Sequence, residues 1–247
     1  MIDMLAFGPH PDDVEICCAG TLLKLKAAGA RVGVVDLTAG EMGTRGTREI
    51  RAAECAAASE MLGLDHRQCL DLGDGHLRED PLAELALVRV LRELRPSIVL
   101  SPWGVDDHPD HEHAARMVRN ACFRSGMARL DTGQEPHRPR ALLSYPGRRE
   151  FSPSFVVDIT PFWERRMEAA RCYTSQFHNP DSTEPATAIS SPDFWHYIQA
   201  RAMYYGQLVG VRYGEAFHYE GTLCLDNPLH HFTGPDAPVD PRQGRPA

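Results

Sequence analysis

The sequence has no block of Lys and Arg, no C-x-x-C pair, no internal repeat and no apolar stretch approaching the length of a bilayer-spanning helix. With a formal charge of −8 and no basic block, the chain repels a phosphate backbone or an anionic membrane surface overall. Neither nucleic acid nor membrane is therefore expected as a partner. Seven cysteines, an odd number with Cys17 and Cys18 adjacent, supply neither a disulfide framework nor a thiolate zinc site, so buried reduced thiols are expected. The first apolar stretch, 4–8, is too short for a signal-peptide core and charged residues follow it, which predicts a cytoplasmic protein.

What is present is ordinary globular composition, 43% hydrophobic and 24% charged, in a chain of 247 residues that suffices for one large core. Residues 4–8 read as a buried strand. Residues 14–28 read as a helix with apolar positions at Ile16, Leu22, Leu23 and Leu25, stopped by Gly29. A β-branched run at 31–37 is the next strand, and an Ala-rich helix at 48–62 ends at Gly63. A helix over 81–94 stops before Pro96, and S-I-V-L-S-P at 97–102 is a third apolar strand. A helix around 112–123, strands at 141–145 and 155–159, helices at 161–173 and 193–208, and a closing strand at 216–225 follow. Segment 179–191, rich in Pro, Ser and Thr, reads as a loop able to form a lid. The pattern predicts one α/β domain over 1–232, a Rossmann-like, doubly wound, mostly parallel sheet flanked by helices, with a flexible Pro-rich tail at 233–247. In such sheets, sites lie at the carboxyl ends of the strands.

Two compact clusters of His and Asp fall directly after predicted strands: G-P-H-P-D-D-V-E at 8–15 and D-D-H-P-D-H at 106–111. In each, the outer metal-competent residues stand three apart, His10 with Asp13 and His108 with His111, a spacing at which side chains in a turn converge. Imidazole nitrogen with carboxylate oxygen suits zinc or another transition metal, not the oxygen cage of calcium. One H-P-D alone reads equally as a helix cap beside a surface histidine. Two such clusters, rich in groups that are costly to bury unpaired, favour a metal.

These motifs resemble the LmbE-like (PIG-L) zinc-dependent N-acetylglucosaminyl deacetylases. So do T-x-G-E at 38–41, G-T-x-E-x-R at 46–51, L-D-L-G-D-G near Asp74, S-Q-F at 175–177 and Y-G-E-A-F at 213–217. The likeness covers nearly all of the chain except the tail. S-Q-F and G-V-x-Y-G-E-A-F look most like the bacillithiol-biosynthesis branch, which deacetylates N-acetylglucosaminyl-malate. The resemblance implies a hydrolase in which His10, Asp13 and His111 hold one divalent metal, Zn2+ with Fe2+ as the alternative. It implies Asp12 as general base, His108 as donor to the developing oxyanion and Asp110 as the group orienting His108. Arg51 and Asp74 would contact the sugar. The implied partner is a small-molecule acetylated amino sugar, and the implied assembly a homo-oligomer.

Read from the residues alone, Asp110 is equally a helix cap, Arg51 a surface partner of Glu54, and Asp74 a turn residue. His178, Arg201, Tyr204 and Tyr205 are weaker candidates for substrate carboxylates, and core or surface packing is their favoured role. Glu15 reads either as orienting a ligand or as a first-turn charge. Position 107 is Asp where the bacillithiol branch has Arg, which removes a cation suited to malate unless Arg45, Arg48 or Arg201 replaces it. Chitooligosaccharides, mycothiol-type precursors and glycolipids therefore stay open as alternative substrates. A dinucleotide-binding protein is disfavoured, because G-P-H-P-D-D lacks G-x-G-x-x-G and its carboxylates repel a pyrophosphate. A purely structural metal site is disfavoured too, since Asp12 is a spare carboxylate beside an open coordination position.

Overall fold

The structure is a computed structural model that describes residues 1–233. Strands β1 (Met4–Gly8), β2 (Val32–Asp36), β3 (His66–Cys69), β4 (Ile98–Pro102) and β5 (Ala141–Tyr145) form one parallel sheet in the order β3-β2-β1-β4-β5. Two further strands, β6 (Phe155–Asp158) and β7 (Gly214–Phe217), pair antiparallel and join the main sheet through the Ser144–His218 bridge. The helices are, in chain order, α1 (Asp13–Cys17), α2 (Ala19–Ala27), α3 (Arg48–Leu62), α4 (Pro81–Leu94), α5 (Pro109–Ser125), α6 (Trp163–Arg171), α7 (Asp193–Leu208) and α8 (Pro228–Thr233).

Alternate side chains of β1 enter opposite cores. Met4 and Ala6 join Val34, Leu100, Val14, Met167 and Ile198 on one face; Leu5 and Phe7 join Val35, Val99, Leu87, Leu91 and Val118 on the other. Burial on both faces is what a parallel sheet requires, and it explains why these strands read as continuous apolar runs. The chain winds outward from β1 to β3 and then returns to place β4 beside β1. The reversal leaves a crevice between the carboxyl ends of β1 and β4, where both His/Asp clusters begin. This is the doubly wound architecture expected from the alternation of elements.

Strands β1 and β5 and helices α3, α4 and α7 fall at the residues where the sequence places them, while others differ. The helix expected at 14–28 is broken at Cys18, whose backbone leaves helical geometry (φ −147°, ψ 11°). The cause is distant in sequence: Glu215 accepts from Gly20 N (2.9 Å), Thr21 N (2.7 Å) and Thr21 Oγ1 (2.7 Å), capping a new helix start. Gly20 is required there, because a Cβ would meet Glu215 Oε1 at 2.9 Å. Ile16 O, freed by the break, is taken by the buried guanidinium groups of Arg166 and Arg201. Strand β3, H-R-Q-C, carries no apolar run and exists through its pairing with β2.

The closing strand expected at 216–225 is shorter and earlier, and α8 was not foreseen. Segment 112–123 is the interior of α5, whose start moves back to Pro109 because His108 caps it. From 234 on, the expected tail lies outside the described residues. All seven cysteines are free thiols. Among the described residues, no helix is long and apolar enough to cross a membrane.

Candidate metal and catalytic centre

The first cluster leaves β1 in a tight turn. His10 N donates to Asp13 Oδ2 at 3.0 Å, so the turn folds back on itself before α1 begins. Asp12 takes a positive φ of 119°, a conformation that non-glycine residues adopt only when their surroundings enforce it. The second cluster leaves β4 through a short loop into α5.

Together the two turns converge on Asp13. His10 Nδ1 stands 3.2 Å from Asp13 Oδ2, and His111 Nε2 stands 3.4 Å from Asp13 Oδ1. The ligand-competent atoms of these three residues lie within 4.8 Å of one another, a set that can hold a metal ion. A second group, His10, His108 and Asp110, meets the same distance limit. Its carboxylate is already committed, since Asp110 accepts from Gly75 N at 2.7 Å and Leu77 N at 3.2 Å. The first set fits a metal better for a further reason. Each imidazole has a carboxylate behind its other nitrogen: Asp74 and Asp110 behind His10 Nε2 (3.0 and 3.3 Å), and Asp106 at 3.4 Å from His111 Nδ1. Histidine ligands of metals are ordinarily backed in this way.

The ionisation pattern follows from crowding charges in a dry site. Burial would lower the pKa of His10, but Asp110, Asp13 and Asp74 hold it well above its ordinary value. Burial likewise opposes the charge on His111, yet Asp13 and Asp106 raise its pKa to about 9. Asp13, despite burial, lies well below the usual carboxylate range because His111 and His10 flank it. Asp12 is pushed up to about 7, chiefly by burial, with Arg51 pulling the other way. His108 is lowered by burial and by the neighbouring His10 and His111, which favours a neutral ring. Its Nδ1 accepts from Asp110 N at 3.2 Å, so the neutral ring carries its proton on Nε2.

The remaining candidates separate clearly. Arg51 is not a surface partner of Glu54. It is buried, donating to Asp12 Oδ2 (3.1 Å), Gln176 Oε1 (3.3 Å) and Pro11 O. Glu54 instead accepts from Thr174 and Ser175. Asp74 lines the same cavity, with Oδ2 accepting from Met42 N at 2.9 Å. The Asp110 carboxylate faces His10, not His108; only its backbone N–H reaches His108, because α5 starts there and points the side chain back toward β1. Glu15 is fully buried against Arg67 and Tyr173, away from any ligand position.

Arg201 and Tyr205 hold the loop after β5, by bonds to Gly147 O and to the Glu150 carboxylate. Tyr204 and His178 are exposed. Arg48 pairs with Asp71 on the surface, and Arg45 lies 3.8 Å from Glu184. Asp107 binds Arg149 at 2.6 Å. Two further residues of the motifs D-D-H-P-D-H and S-Q-F stand at the site without a role expected from the sequence: Asp106 behind His111 and Gln176 against Arg51.

A cavity of about 440 Å³ opens over the cluster. His10, Asp12, Asp13, His108 and His111 line its floor region together with Arg51 and Asp74. Its remaining wall includes Ile189, Phe194, Tyr197, Arg148 and Arg201. The volume is within the usual range for small-molecule sites.

The chain is similar to known deacetylases over most of its length. The family profile described as PIG-L, GlcNAc-PI de-N-acetylase, matches residues 5–122. Diacetylchitobiose deacetylase of Thermococcus kodakarensis is 32% identical over 238 residues, spanning 90% of this chain and 84% of the relative. A "Probable N-acetyl-alpha-D-glucosaminyl L-malate deacetylase 2" of Bacillus anthracis is 28% identical over 213 residues, spanning 76% of this chain and 92% of the relative. Among solved structures, a conserved protein of Thermus thermophilus is similar with a TM-score of 0.84 at 39% identity, over 92% of this chain and 98% of that one.

Proposed function

Because the chain belongs to the PIG-L (GlcNAc-PI de-N-acetylase) family, we propose that it is a zinc-dependent hydrolase removing the acetyl group from an N-acetylglucosaminyl conjugate. The observation that carries this reading is the Asp13 carboxylate set between His10 and His111, with the Arg51-paired Asp12 beside it on one cavity floor. Zn2+ suits two imidazoles and one carboxylate with an open position, and Fe2+ is the next candidate. When bound, the metal would supply Lewis acidity toward the amide carbonyl and toward water.

The chain's own groups do the rest. Asp12, with a pKa near neutrality, takes a proton from the attacking water and returns it to the leaving amine. His108 Nε2–H donates to the carbonyl oxygen as negative charge builds there. Asp110 holds His10 in place, and Arg51 keeps Asp12 ionisable. Asp74, which lines the cavity, accepts from sugar hydroxyls with whichever lone pairs His10 and Met42 N leave free.

N-Acetylglucosaminyl-malate is the first candidate substrate, with the exposed Arg148, one of the residues lining the cavity, as a cation for the malate carboxylates. Diacetylchitobiose is the second, favoured by the similarity to its deacetylase, by the aromatic wall of Phe194 and Tyr197, and by the engagement of Asp107 with Arg149. Acetate release from both compounds and from N-acetylglucosamine, with metal-loaded wild type and Asp12→Ala, tests the proposal. Cleavage of a glucosaminyl conjugate that vanishes in Asp12→Ala supports it, and no cleavage of any of the three overturns it.

A further inference from the structure

His111 Nδ1 is buried and makes no hydrogen bond, while Nε2 of the same ring faces Asp13. Asp106 Oδ2 stands 3.4 Å from that Nδ1, on a side chain only 1% exposed. Two backbone groups hold this carboxylate: His108 N donates to Oδ1 at 2.9 Å and Arg148 N donates to Oδ2 at 2.8 Å. Gly147 provides the room, since a Cβ there would lie 2.1 Å from Asp106 Oδ2 and 3.0 Å from His111 Nδ1. The loop carrying Gly147 and Arg148 is itself gripped by one face of α7, where Tyr197, Arg201 and Tyr205 recur at every fourth residue. Arg201 Nη1 donates to Gly147 O at 2.7 Å, and both tyrosine hydroxyls donate to the Glu150 carboxylate, Tyr197 at 3.2 Å.

We propose that Asp106 is the positioning residue of the metal centre, keeping the ring proton of His111 on Nδ1 so that the Nε2 lone pair points at the place shared with Asp13 and His10. The inference rests on the metal reading above. Its physical basis is that an ionised carboxylate accepts and cannot donate, so a ring nitrogen set against it is the protonated one. The opposite nitrogen then carries the lone pair, and the ring loses the freedom to rotate away. His10 has the same backing from Asp74 and Asp110, so both imidazoles of the set would be fixed from behind. The α7 face matters to this arrangement because it holds the loop that presents Arg148 N to Asp106.

The test is metal affinity, read by competition of the full-length protein with a chromophoric chelator for Zn2+, alongside melting temperature and 1H–15N NMR of the His111 ring. Asp106→Ala is expected to weaken Zn2+ binding by about 10- to 100-fold, the usual cost of losing such a partner. Gly147→Ala, which keeps Asp106 but crowds its carboxylate, is expected to weaken it likewise. In the loaded wild type, Nδ1 is expected to be protonated and Nε2 to carry the metal shift.

Unchanged Zn2+ affinity in Asp106→Ala with a lowered melting temperature would assign Asp106 to the turn alone and overturn the proposal. Metal on Nδ1 in the wild type overturns it without any variant. Wild type that takes up no Zn2+, or binds it equally well after His111→Ala, overturns both this inference and the metal reading beneath it.

Discussion

Arg51 Nη2 lies 3.1 Å from Asp12 Oδ2, and both side chains are buried. Burial pushes the Asp12 carboxyl up to about 7, and Arg51 is the strongest group holding it down. In the proposed role of general base Asp12 must be ionised, so activity is expected to be lost as pH falls through its pKa. Arg51→Met removes the counterweight, and the acid limb of kcat/KM is expected to move to higher pH by about 1–3 units. A bound metal cation lowers the limb in both proteins and leaves the direction of the difference unchanged. Superimposable pH profiles would show that the pair does not set the base.

His108 and Asp12 are expected to fail differently. Asp12→Ala removes the proposed proton path and should bring turnover to background. His108→Ala removes the proposed donor to the oxyanion and should lower kcat by about 10²–10³, with KM little changed. Both variants should retain the metal, because neither residue belongs to the His10, Asp13 and His111 set; metal content measured on the purified variants checks this.

Arg67 neutralises two buried acids at once. It donates to Asp36 through Nε (2.9 Å) and Nη2 (3.0 Å), to Glu15 through Nη1, and to the Tyr173 hydroxyl at 3.0 Å. Arg67→Leu would leave uncompensated charge in the interior, at a cost of roughly 3–5 kcal/mol. For a chain of this size each kcal/mol moves Tm by about 2–4 °C, so calorimetry should find a large drop. A loss below about 1 kcal/mol would mean that water reaches the site.

Chelation should abolish activity and lower the melting temperature, with both restored by one equivalent of divalent metal. At a free metal concentration near 100 times Kd the expected stabilisation is ~2.7 kcal/mol. Activity undiminished by prolonged chelation would count against the metal assignment.

Glu184 Oε1 accepts from Gly46 N at 2.8 Å and ties segment 179–191, which supplies Thr187, Ala188 and Ile189 to the cavity wall, to the chain after β2. If this segment closes over substrate, Glu184→Ala should raise KM while leaving kcat nearly unchanged. Steady-state kinetics on the preferred substrate decide it, and a loss confined to kcat would speak against a closing role.

Much of this was legible in the sequence because it depends on short-range pattern. The apolar runs of β1 and β4, the Ala-rich α3 and the capped α4 announce themselves, and both His/Asp clusters stand directly after strands. Strand β3 was illegible because an edge strand of H-R-Q-C owes its existence to β2 beside it. The break at Cys18 was illegible because Glu215, which causes it, belongs to the far end of the chain.

The sequence by itself determined the doubly wound sheet and the residue types that gather at its carboxyl edge, since periodicity and composition are local properties. Only the tertiary structure decided the partnerships. Arg51 serves Asp12 and not Glu54, the carboxylate of Asp110 backs His10 and not His108, and Asp106 stands behind His111. Such pairings depend on where β1 and β4 meet and on how α3 and α5 point from them, and residue spacing along the chain carries no record of distances across the sheet.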